Sequence, residues 1–255
     1  MRNHLVLPDT QHSKGCPTEH LTAAGNFIVE HKPEVVVHIG DHFDMPSINS
    51  HTSNTIHAEN NRYVDDIAAG IEGIEALLAP LKAENSRRRA NKKALYKPRL
   101  VFTLGNHEER IARLVSSSPE LQGVLGYEDF MLESFGFEVH DFLKIVEIDG
   151  VNYTHYVKNL NSNYPIGRAH LIAQRRGQSF TVGHQPGLDF HINPFKQGDS
   201  RVMCLIAGSY YLHDEGYRGY QGNENWRGLI YKQDVKDGSY CPQFLTTDFM
   251  INNYL

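Results

Sequence analysis

RLVFTLGNHEER, residues 99–110, is the most informative segment of this chain for predicting how it folds. Residues 100–104 are apolar and rich in β-branched and aromatic side chains, and the run stops abruptly at Gly105, which is typical of a buried strand. Asn106 and His107 follow at once. Because open α/β sheets bind ligands at the carboxyl ends of their strands, the segment predicts a strand that delivers polar side chains to a crevice.

Similar apolar runs recur along the chain, separated by segments of helical periodicity. The predicted strands are 4–8, 34–39, 100–104, 143–148, 151–156, 179–182, 202–207, 228–235 and 243–247, with a two-residue turn at Asp149-Gly150. The predicted helices are 19–31, 60–83, 109–114, 127–135 and 165–175. Strands that alternate with helices early and form hairpins late predict an α/β fold of layered, partly parallel sheets. Nothing in the composition divides the chain, so we expect one domain over residues 1–255.

Composition and charge exclude several classes of protein. A formal net charge of −5 argues against a dedicated basic nucleic-acid binder, although the basic patch 87–93 could contact phosphates locally. Three widely spaced cysteines indicate neither a disulfide framework nor a sulfur-ligated zinc site. The sequence contains no signal peptide and no apolar run of membrane length, so we expect a cytoplasmic protein without membrane contact. Fifteen histidines make an imidazole-rich metal site worth seeking.

Side chains that can bind metals or move protons follow several of the predicted strands. They are Asp9 and Gln11, Asp41 and Asp44, Asn106 and His107, His155, and His184. Carboxylate, amide and imidazole donors suit hard or borderline divalent metals, and a shared carboxylate can bridge two cations that act on one phosphate. Glycine precedes Asp41, Asn106 and His184, and we expect each glycine to permit a tight turn toward a common point.

The order of these motifs resembles the calcineurin-like metallophosphoesterase superfamily. That family's pattern is Asp-x-His, Gly-Asp-x-x-Asp, Gly-Asn-His-Asp/Glu, a lone His and Gly-His-x-His, and the match runs from Asp9 to His184. The resemblance implies a four-layer α/β/β/α sandwich with mixed sheets. It also implies two divalent metal ions, Mn²⁺ foremost, with Zn²⁺, iron, Ni²⁺ or Mg²⁺ as alternatives, and a hydrolase that attacks phosphate esters with metal-activated water.

The resemblance also assigns expected roles to individual residues. Asp41 would bridge the two ions, and Asn106, His155 and His184 would complete the second metal site. Asp9 and Gln11 would belong to the first site. His107, oriented by Asp44, would contact the substrate phosphate or protonate the leaving oxygen. Glu108 and Glu109 are expected to begin a helix and to take no catalytic part.

Two departures from the family pattern concern the first metal site. Gln11 stands where the family has histidine, and Pro186 stands where it has the final histidine. An amide oxygen is a weaker donor than imidazole, so the first site is predicted to bind weakly or to be completed by His12 or His191. In an extended segment His12 would face away from Asp9 and Gln11, and the local turn would have to twist to bring it in.

Other histidines and aromatic residues have plainer explanations. His38 is predicted to be a hydrogen-bonded core residue, and His42 a loop residue. A dense aromatic group suggests base stacking, although a hydrophobic cap on the late sheet explains it better; its members are Tyr210, Tyr211, Tyr217, Tyr220 and Trp226. The stretch 208–229 around these residues also resembles virus-encoded, phage-type branches of the same superfamily.

The substrate is the least determined part of the prediction. We expect a phosphate ester, with phosphodiesters of nucleotides or nucleic acid favoured. A phosphomonoesterase acting on proteins or small metabolites is the alternative within enzymes, because the metal core serves both reactions and the pocket walls decide. A metal-poor binding scaffold with a degenerate first site is the alternative outside enzymes. The sequence predicts no oligomeric state.

Overall fold

The computed structural model describes residues 1–49, 60–194, 201–214 and 223–255, which contain two sheets and flanking helices. The strands are β1 (Arg2–Leu7), β2 (Val35–His38), β3 (Arg99–Thr103), β4 (Phe137–His140), β5 (Val146–Ile148), β6 (Val151–Thr154), β7 (Ser179–Val182), β8 (Leu188–Ile192), β9 (Met203–Ala207), β10 (Gly228–Lys236) and β11 (Ser239–Thr246). The α-helices are α1 (Glu19–His31), α2 (Tyr63–Ala90), α3 (Glu109–Ser117), α4 (Ala169–Arg176) and α5 (Thr247–Tyr254).

Both sheets are mixed. The first has the order β11-β10-β1-β2-β3-β4, and the second has the order β5-β6-β7-β9-β8. Strands β1 to β4 are parallel, β10 pairs antiparallel with β1, and β11 pairs antiparallel with β10. In the second sheet β6, β7 and β9 are parallel, and β5 and β8 run antiparallel at the edges. Parallel strands bring their carboxyl ends to one edge of each sheet, where the polar residues of the sequence lie.

Three apolar cores separate four layers. Because side chains alternate along a strand, Leu5 and Leu7 of β1 face the helices α1, α2 and α5, whereas Val6 faces the second sheet. The core between the sheets also contains Leu205 of β9. On the far side, α4 covers the second sheet through Ile172 and its neighbours. This α/β/β/α arrangement confirms the fold class predicted from the sequence.

The predicted hairpin at Asp149-Gly150 is confirmed. Strands β5 and β6 pair antiparallel, with Ile148 opposite Val151. Asp149 has a φ of 53° and Gly150 has a φ of 81°. A two-residue type I′ turn requires positive φ at both central positions, which explains the sequence at this turn.

Some predicted boundaries are wrong. Helix α2 continues to Ala90, so the basic patch belongs to its solvated last turn, where Arg87 and Arg88 pair with Glu84. The helix predicted over 127–135 is a single 3₁₀ turn, because the chain enters the left-handed region at Met131, with a φ of 54°.

Helix α4 begins at Ala169, later than the predicted residue 165. Strands β4 and β8 and helix α5 were missed. The two strands carry acidic and histidine residues in a half-buried pattern, which hides their periodicity.

Of the aromatic group at 210–226, the structure describes only some members. Tyr210 is fully buried, and its hydroxyl donates to the backbone oxygen of His20. Tyr211 is also buried, and Trp226 packs against the core between the sheets. These three residues therefore form part of the hydrophobic packing. Tyr217 and Tyr220 lie outside the described residues.

Within the described ranges, no helix combines the length and apolar character needed to cross a bilayer. The organisation of residues 1–255 as one domain stays a prediction.

Candidate metal centre

Four side-chain donors from both sheets converge at the carboxyl ends of the parallel strands. The Oδ1 atom of Asn106 lies 2.9 Å from His155 Nε2 and 2.7 Å from His184 Nδ1. His155 Nε2 is also 3.3 Å from Asp41 Oδ2. Potential ligand atoms of Asp41, His155 and His184 all lie within 4.8 Å of one another. Ligands bound at about 2.0–2.2 Å around one cation lie roughly 3 Å apart, so these donors fit a divalent metal ion.

The ring of His155 is held in the orientation that a metal ligand needs. Its Nδ1–H donates to the backbone oxygen of Ile39 at 2.7 Å, so Nε2 is the ring nitrogen that faces Asp41 and Asn106 and that a metal would displace a proton from. A hydrogen bond of this kind fixes the tautomer of metal-binding histidines. Burial lowers the pKa of His155, but the Asp41 carboxylate outweighs it and raises that pKa to about 9. The surroundings of His155 therefore attract positive charge.

Asp9 and Gln11 lie beside the four-donor cluster. Asp9 Oδ1 accepts the backbone N–H of His184 at 3.0 Å. Burial raises the pKa of Asp9, and the nearby Asp41 carboxylate adds to the effect. The side-chain oxygen of Gln11 is buried without a hydrogen bond among the residues that the structure describes. Two buried carboxylates and an unsatisfied amide oxygen are groups that a cation would satisfy, because burial without a partner is costly for each.

Three of the predicted ligand residues have unusual backbone conformations. Gln11, Asp41 and His184 have φ values of 38°, 51° and 67°. Residues with a Cβ atom rarely adopt positive φ, which costs on the order of 1 kcal/mol or more for each residue. Such conformations cluster at functional sites, where the surrounding structure enforces them. Two of these residues, Asp41 and His184, contribute side-chain atoms that lie within 4.8 Å of each other.

The glycines before the ligands do more than permit turns. Gly40 has a φ of 88° and does provide a turn. Gly105 and Gly183 leave space for carboxylates, because a Cβ atom at Gly105 would lie 2.1 Å from Asp41 Oδ1 and one at Gly183 would lie 2.5 Å from Asp9 Oδ1. Turns also follow Gly105 and Gly183, whose backbone oxygens accept the N–H groups of Glu109 and Gln185, although neither glycine has a positive φ.

Glu108 organises the loops that carry the donors, a role that the sequence did not reveal. It is fully buried, and its two oxygens accept backbone N–H groups at 2.7–2.9 Å. The donors of these bonds are Asp41, His42, Phe43 and Gly105. The Gly-Asn-His-Glu motif was visible, but its glutamate was expected only to begin a helix. One carboxylate thus holds together the loops after β2 and β3.

His107 and Asp44 form a pair at the edge of the cluster. His107 Nδ1 lies 3.0 Å from Asp44 Oδ1, and His107 Nε2 lies 3.7 Å from Asp41 Oδ2. The backbone N–H of His107 donates to Asp41 Oδ1. Burial lowers the pKa of His107, but Asp41 and Asp44 outweigh it, so the pKa is raised. A histidine held protonated beside the cluster can donate a proton.

His12 and His191 are not brought into this cluster. The ring of His12 stacks on His42 at 6.2 Å between ring centres, beside α2. His191 hydrogen-bonds Asn193 and is paired with Cys204, three residues before the end of β9, which is roughly 10 Å along a strand. The completion of the first metal site by either residue is not supported by their positions.

His38 and His42 belong to a buried hydrogen-bond chain. The predicted core position of His38 is confirmed, since its Nε2 lies 3.0 Å from Thr10 Oγ1 and it is fully buried. His42 lies in the loop after β2, as predicted, but its side chain is fully buried between Thr10 Oγ1, at 2.6 Å, and the backbone oxygen of Gly70 in α2, at 2.8 Å. Burial lowers the pKa of His42 to about 3. These hydrogen bonds join the segment after β1 to β2 and α2.

An aromatic wall lies beside the cluster. The ring of Tyr156 is 4.8 Å from that of His184 and 5.8 Å from that of His155. Phe142 lies 5.5 Å from Tyr156, and the Arg113 guanidinium lies 5.9 Å from the centre of the Phe142 ring. Burial raises the pKa of the Tyr156 phenol, and the charge of Arg113 opposes the increase. Sequence reasoning missed this wall, because its members are distant in the chain.

Comparisons with known proteins add little to this geometry. No family model matches the chain, and no curated protein matches it. Among solved structures, the chain is similar to Yfce, described as a phosphoesterase from E. coli, with 13% sequence identity and a TM-score of 0.42. That alignment covers 95% of this chain and 98% of the other. We therefore infer the function from the geometry of the site.

Proposed function

We propose that this chain is a divalent-metal-dependent phosphoesterase. The observation that carries the proposal is the convergence of Asp41 Oδ2, Asn106 Oδ1, His155 Nε2 and His184 Nδ1 from both sheets. These four donors would hold one cation. Asp9 and Gln11, with Asp41 shared, would hold a second and weaker one. Manganese is our first choice of metal, because the set combines carboxylate, amide and imidazole donors.

The residues around the cations would then act directly on the substrate. When bound, divalent metals neutralise phosphate oxygens and lower the pKa of water. His107 would donate its proton to the leaving oxygen, and the Asp41 and Asp44 carboxylates, which raise its pKa, favour the protonated form. Asp44 would hold the His107 ring in position through its Nδ1 contact. Proton donation by a positioned side chain is worth about 10²–10⁴ in rate.

We favour phosphodiesters over phosphomonoesters as substrates. The site contains three buried carboxylates, Asp9, Asp41 and Glu108, and the partly buried carboxylate of Asp44. A monoester carries up to two negative charges near neutral pH, whereas a diester carries one. With two divalent cations bound, the four carboxylates would balance most of the added positive charge, so the site would favour the less charged diester.

The decisive experiment is hydrolysis of a bis-aryl phosphate and an aryl monophosphate with added Mn²⁺. We expect metal-dependent turnover with the diester preferred, and a loss of about 10³-fold or more in Asp41→Asn, since its charge would bridge the cations. Asp65→Asn is the matched control, because Asp65 forms an exposed pair with Lys14. Metal binding without turnover of either substrate would contradict the enzyme proposal and favour a binding scaffold.

A further inference from the structure

We propose that Arg113 and Tyr156 bind the phosphate and ring of the neighbouring nucleotide, which makes an oligonucleotide-type phosphodiester chain the substrate. This inference rests on the proposed function, because it concerns how the same site recognises its ligand. It depends on an aromatic wall beside the four-donor cluster, a cation on that wall without an ion pair among the described residues, and an open groove lined in part by that cation.

Tyr156 is the first group that a substrate would meet outside the cluster. It directly follows His155 in the chain, and its ring packs against His184. The side chain is half-buried, and its hydroxyl forms no hydrogen bond with any residue in the described ranges. A half-exposed phenol ring offers a surface for stacking, and its free O–H can donate to a phosphate oxygen.

Arg113 lies further along the same wall, against Phe142, which in turn lies beside Tyr156. Its guanidinium lies over Phe142, and it forms no hydrogen bond or ion pair with any described residue. Arg110, one turn earlier on α3, donates to the backbone oxygens of Asp44 and Met45. The nearby Glu109 carboxylate accepts the Tyr127 hydroxyl. Arg113 is thus an exposed cation available to a ligand, and guanidinium groups bind phosphate through paired donors.

An open groove continues from Arg113. It has a volume of about 420 Å³ and is lined by Glu109, Ala112, Arg113, Ser116 and Ser117. A substrate that ended at the reacting phosphate would leave this groove and the guanidinium without contacts. A chain that continued past the reacting phosphate would place its next ring near Tyr156 and its next phosphate near Arg113.

The chemistry of the wall selects this substrate class. A cation alone would bind any anion, and an aromatic ring alone would bind any planar group. Together, beside a phosphoesterase site, they match a ligand that alternates rings with phosphates. The acidic net charge of −5 restricts this affinity to a local contact and excludes a long basic track.

The test compares a thymidine dinucleotide having one internal phosphodiester with the same dinucleotide carrying an added phosphate at its 5′ or 3′ end. We expect the wild type to hydrolyse one of the extended forms with a kcat/KM about ten-fold higher than the plain dinucleotide, and Arg113→Gln to abolish that preference. Tyr156→Leu should raise KM for the dinucleotide about ten-fold, and Tyr156→Phe should raise it less. Arg89→Gln, at the exposed end of α2, is the control for charge.

The outcomes separate this inference from the proposed function. If the wild type hydrolyses a bis-aryl phosphate but shows no preference for either extended dinucleotide, the inference is overturned and the enzyme proposal stands. Retention of the preference in Arg113→Gln, or an equal loss in Arg89→Gln, would also overturn it. If the bis-aryl phosphate is not hydrolysed although Mn²⁺ binds, the proposed function itself fails. Mn²⁺ binding by each variant shows that the cluster remains folded.

Discussion

Two groups of histidines lie close together in this protein, His155 and His184 at the metal centre and His38 and His42 behind it, and they differ in their contacts and in the pKa of their buried members. His155 and His184 contact Asn106, and His155 also contacts Asp41. His42 instead contacts a hydroxyl and a backbone oxygen. The pKa of His155 is raised to about 9 by Asp41 against the effect of burial, whereas burial lowers that of His42 to about 3. A histidine becomes a candidate ligand through its carboxylate neighbours, since His155 and His42 are both fully buried.

The hydrogen bonds of the second group have one consistent direction. The backbone N–H of Gly40 donates to His38 Nδ1, so the opposite nitrogen, Nε2–H, donates to Thr10 Oγ1. The Thr10 hydroxyl then donates to His42 Nδ1, and His42 Nε2–H donates to the oxygen of Gly70. Every member is neutral and satisfied, and no lone pair remains for a metal. The histidine chain therefore supports the fold around the site.

The largest expected difference between the groups is in metal affinity. His155→Gln removes a donor from the cluster and should weaken Mn²⁺ binding by more than about 100-fold, because loss of an outer contact alone costs about 10–100-fold. His42→Gln should weaken it by about ten-fold or less. Calorimetric titration with Mn²⁺ measures both, and far-UV circular dichroism confirms the fold. Equal losses in the two variants would remove the distinction.

The next expected effect is on stability. Thr10→Val preserves shape but removes the hydroxyl shared by His38 and His42. Two fully buried rings would each lose a hydrogen bond, and we expect the free energy of unfolding to fall by about 2–3 kcal/mol. Urea denaturation measures this change, with Thr22→Val on the half-buried side of α1 as the control. If Thr10→Val is as stable as the wild type, the hydrogen bonds of Thr10 with His38 and His42 contribute nothing to the free energy of unfolding.

A third effect should appear as acid sensitivity. Burial lowers the pKa of His20 to about 3, so the unfolded chain binds more protons than the folded one below about pH 6.5. Stability should fall as the pH is lowered through this range. Between pH 6.5 and 5 His20 accounts for about 2 kcal/mol.

Urea denaturation at pH 6.5 and at pH 5 measures the loss of stability on acidification. In His20→Leu this loss should be smaller than in the wild type by about 2 kcal/mol. His170→Leu, at an exposed position of α4, is the control. An unchanged loss of stability in His20→Leu would contradict the assignment of acid sensitivity to this buried ring.

The sequence was sufficient to predict the layers and most strand ends, because buried strands are short apolar runs and their ends are marked by glycine and polar residues. It could not reveal the four hydrogen bonds of Glu108, since their donors lie in two loops that meet only after folding. It also could not reveal the positive φ of Asp41 and His184, which tertiary contacts enforce on residues that disfavour it. The wall formed by Tyr156 and Arg113 joins distant segments and leaves no local pattern.

The smallest expected effect concerns two neighbouring positions, 11 and 12. The test is whether a histidine at position 11 binds metal although the histidine at position 12 does not. Gln11 lies beside Asp9 and Asp41, whereas the next side chain, His12, stacks on His42. Gln11→His would place imidazole near the carboxylates and should tighten binding of a second Mn²⁺ by about ten-fold. His12→Gln should leave that second binding step unchanged.

Calorimetric titration measures the second binding step in both variants. If His12→Gln weakens the second ion, His12 is itself a ligand, and nearness to a carboxylate is not what separates the two groups. If Gln11→His leaves the second ion unchanged, the left-handed backbone at position 11, with a φ of 38°, directs that side chain away from the carboxylates. The expected result is that Gln11→His binds the second ion more tightly and that His12→Gln does not change its binding. That result would mean that carboxylate neighbours determine which histidines of this protein bind metal.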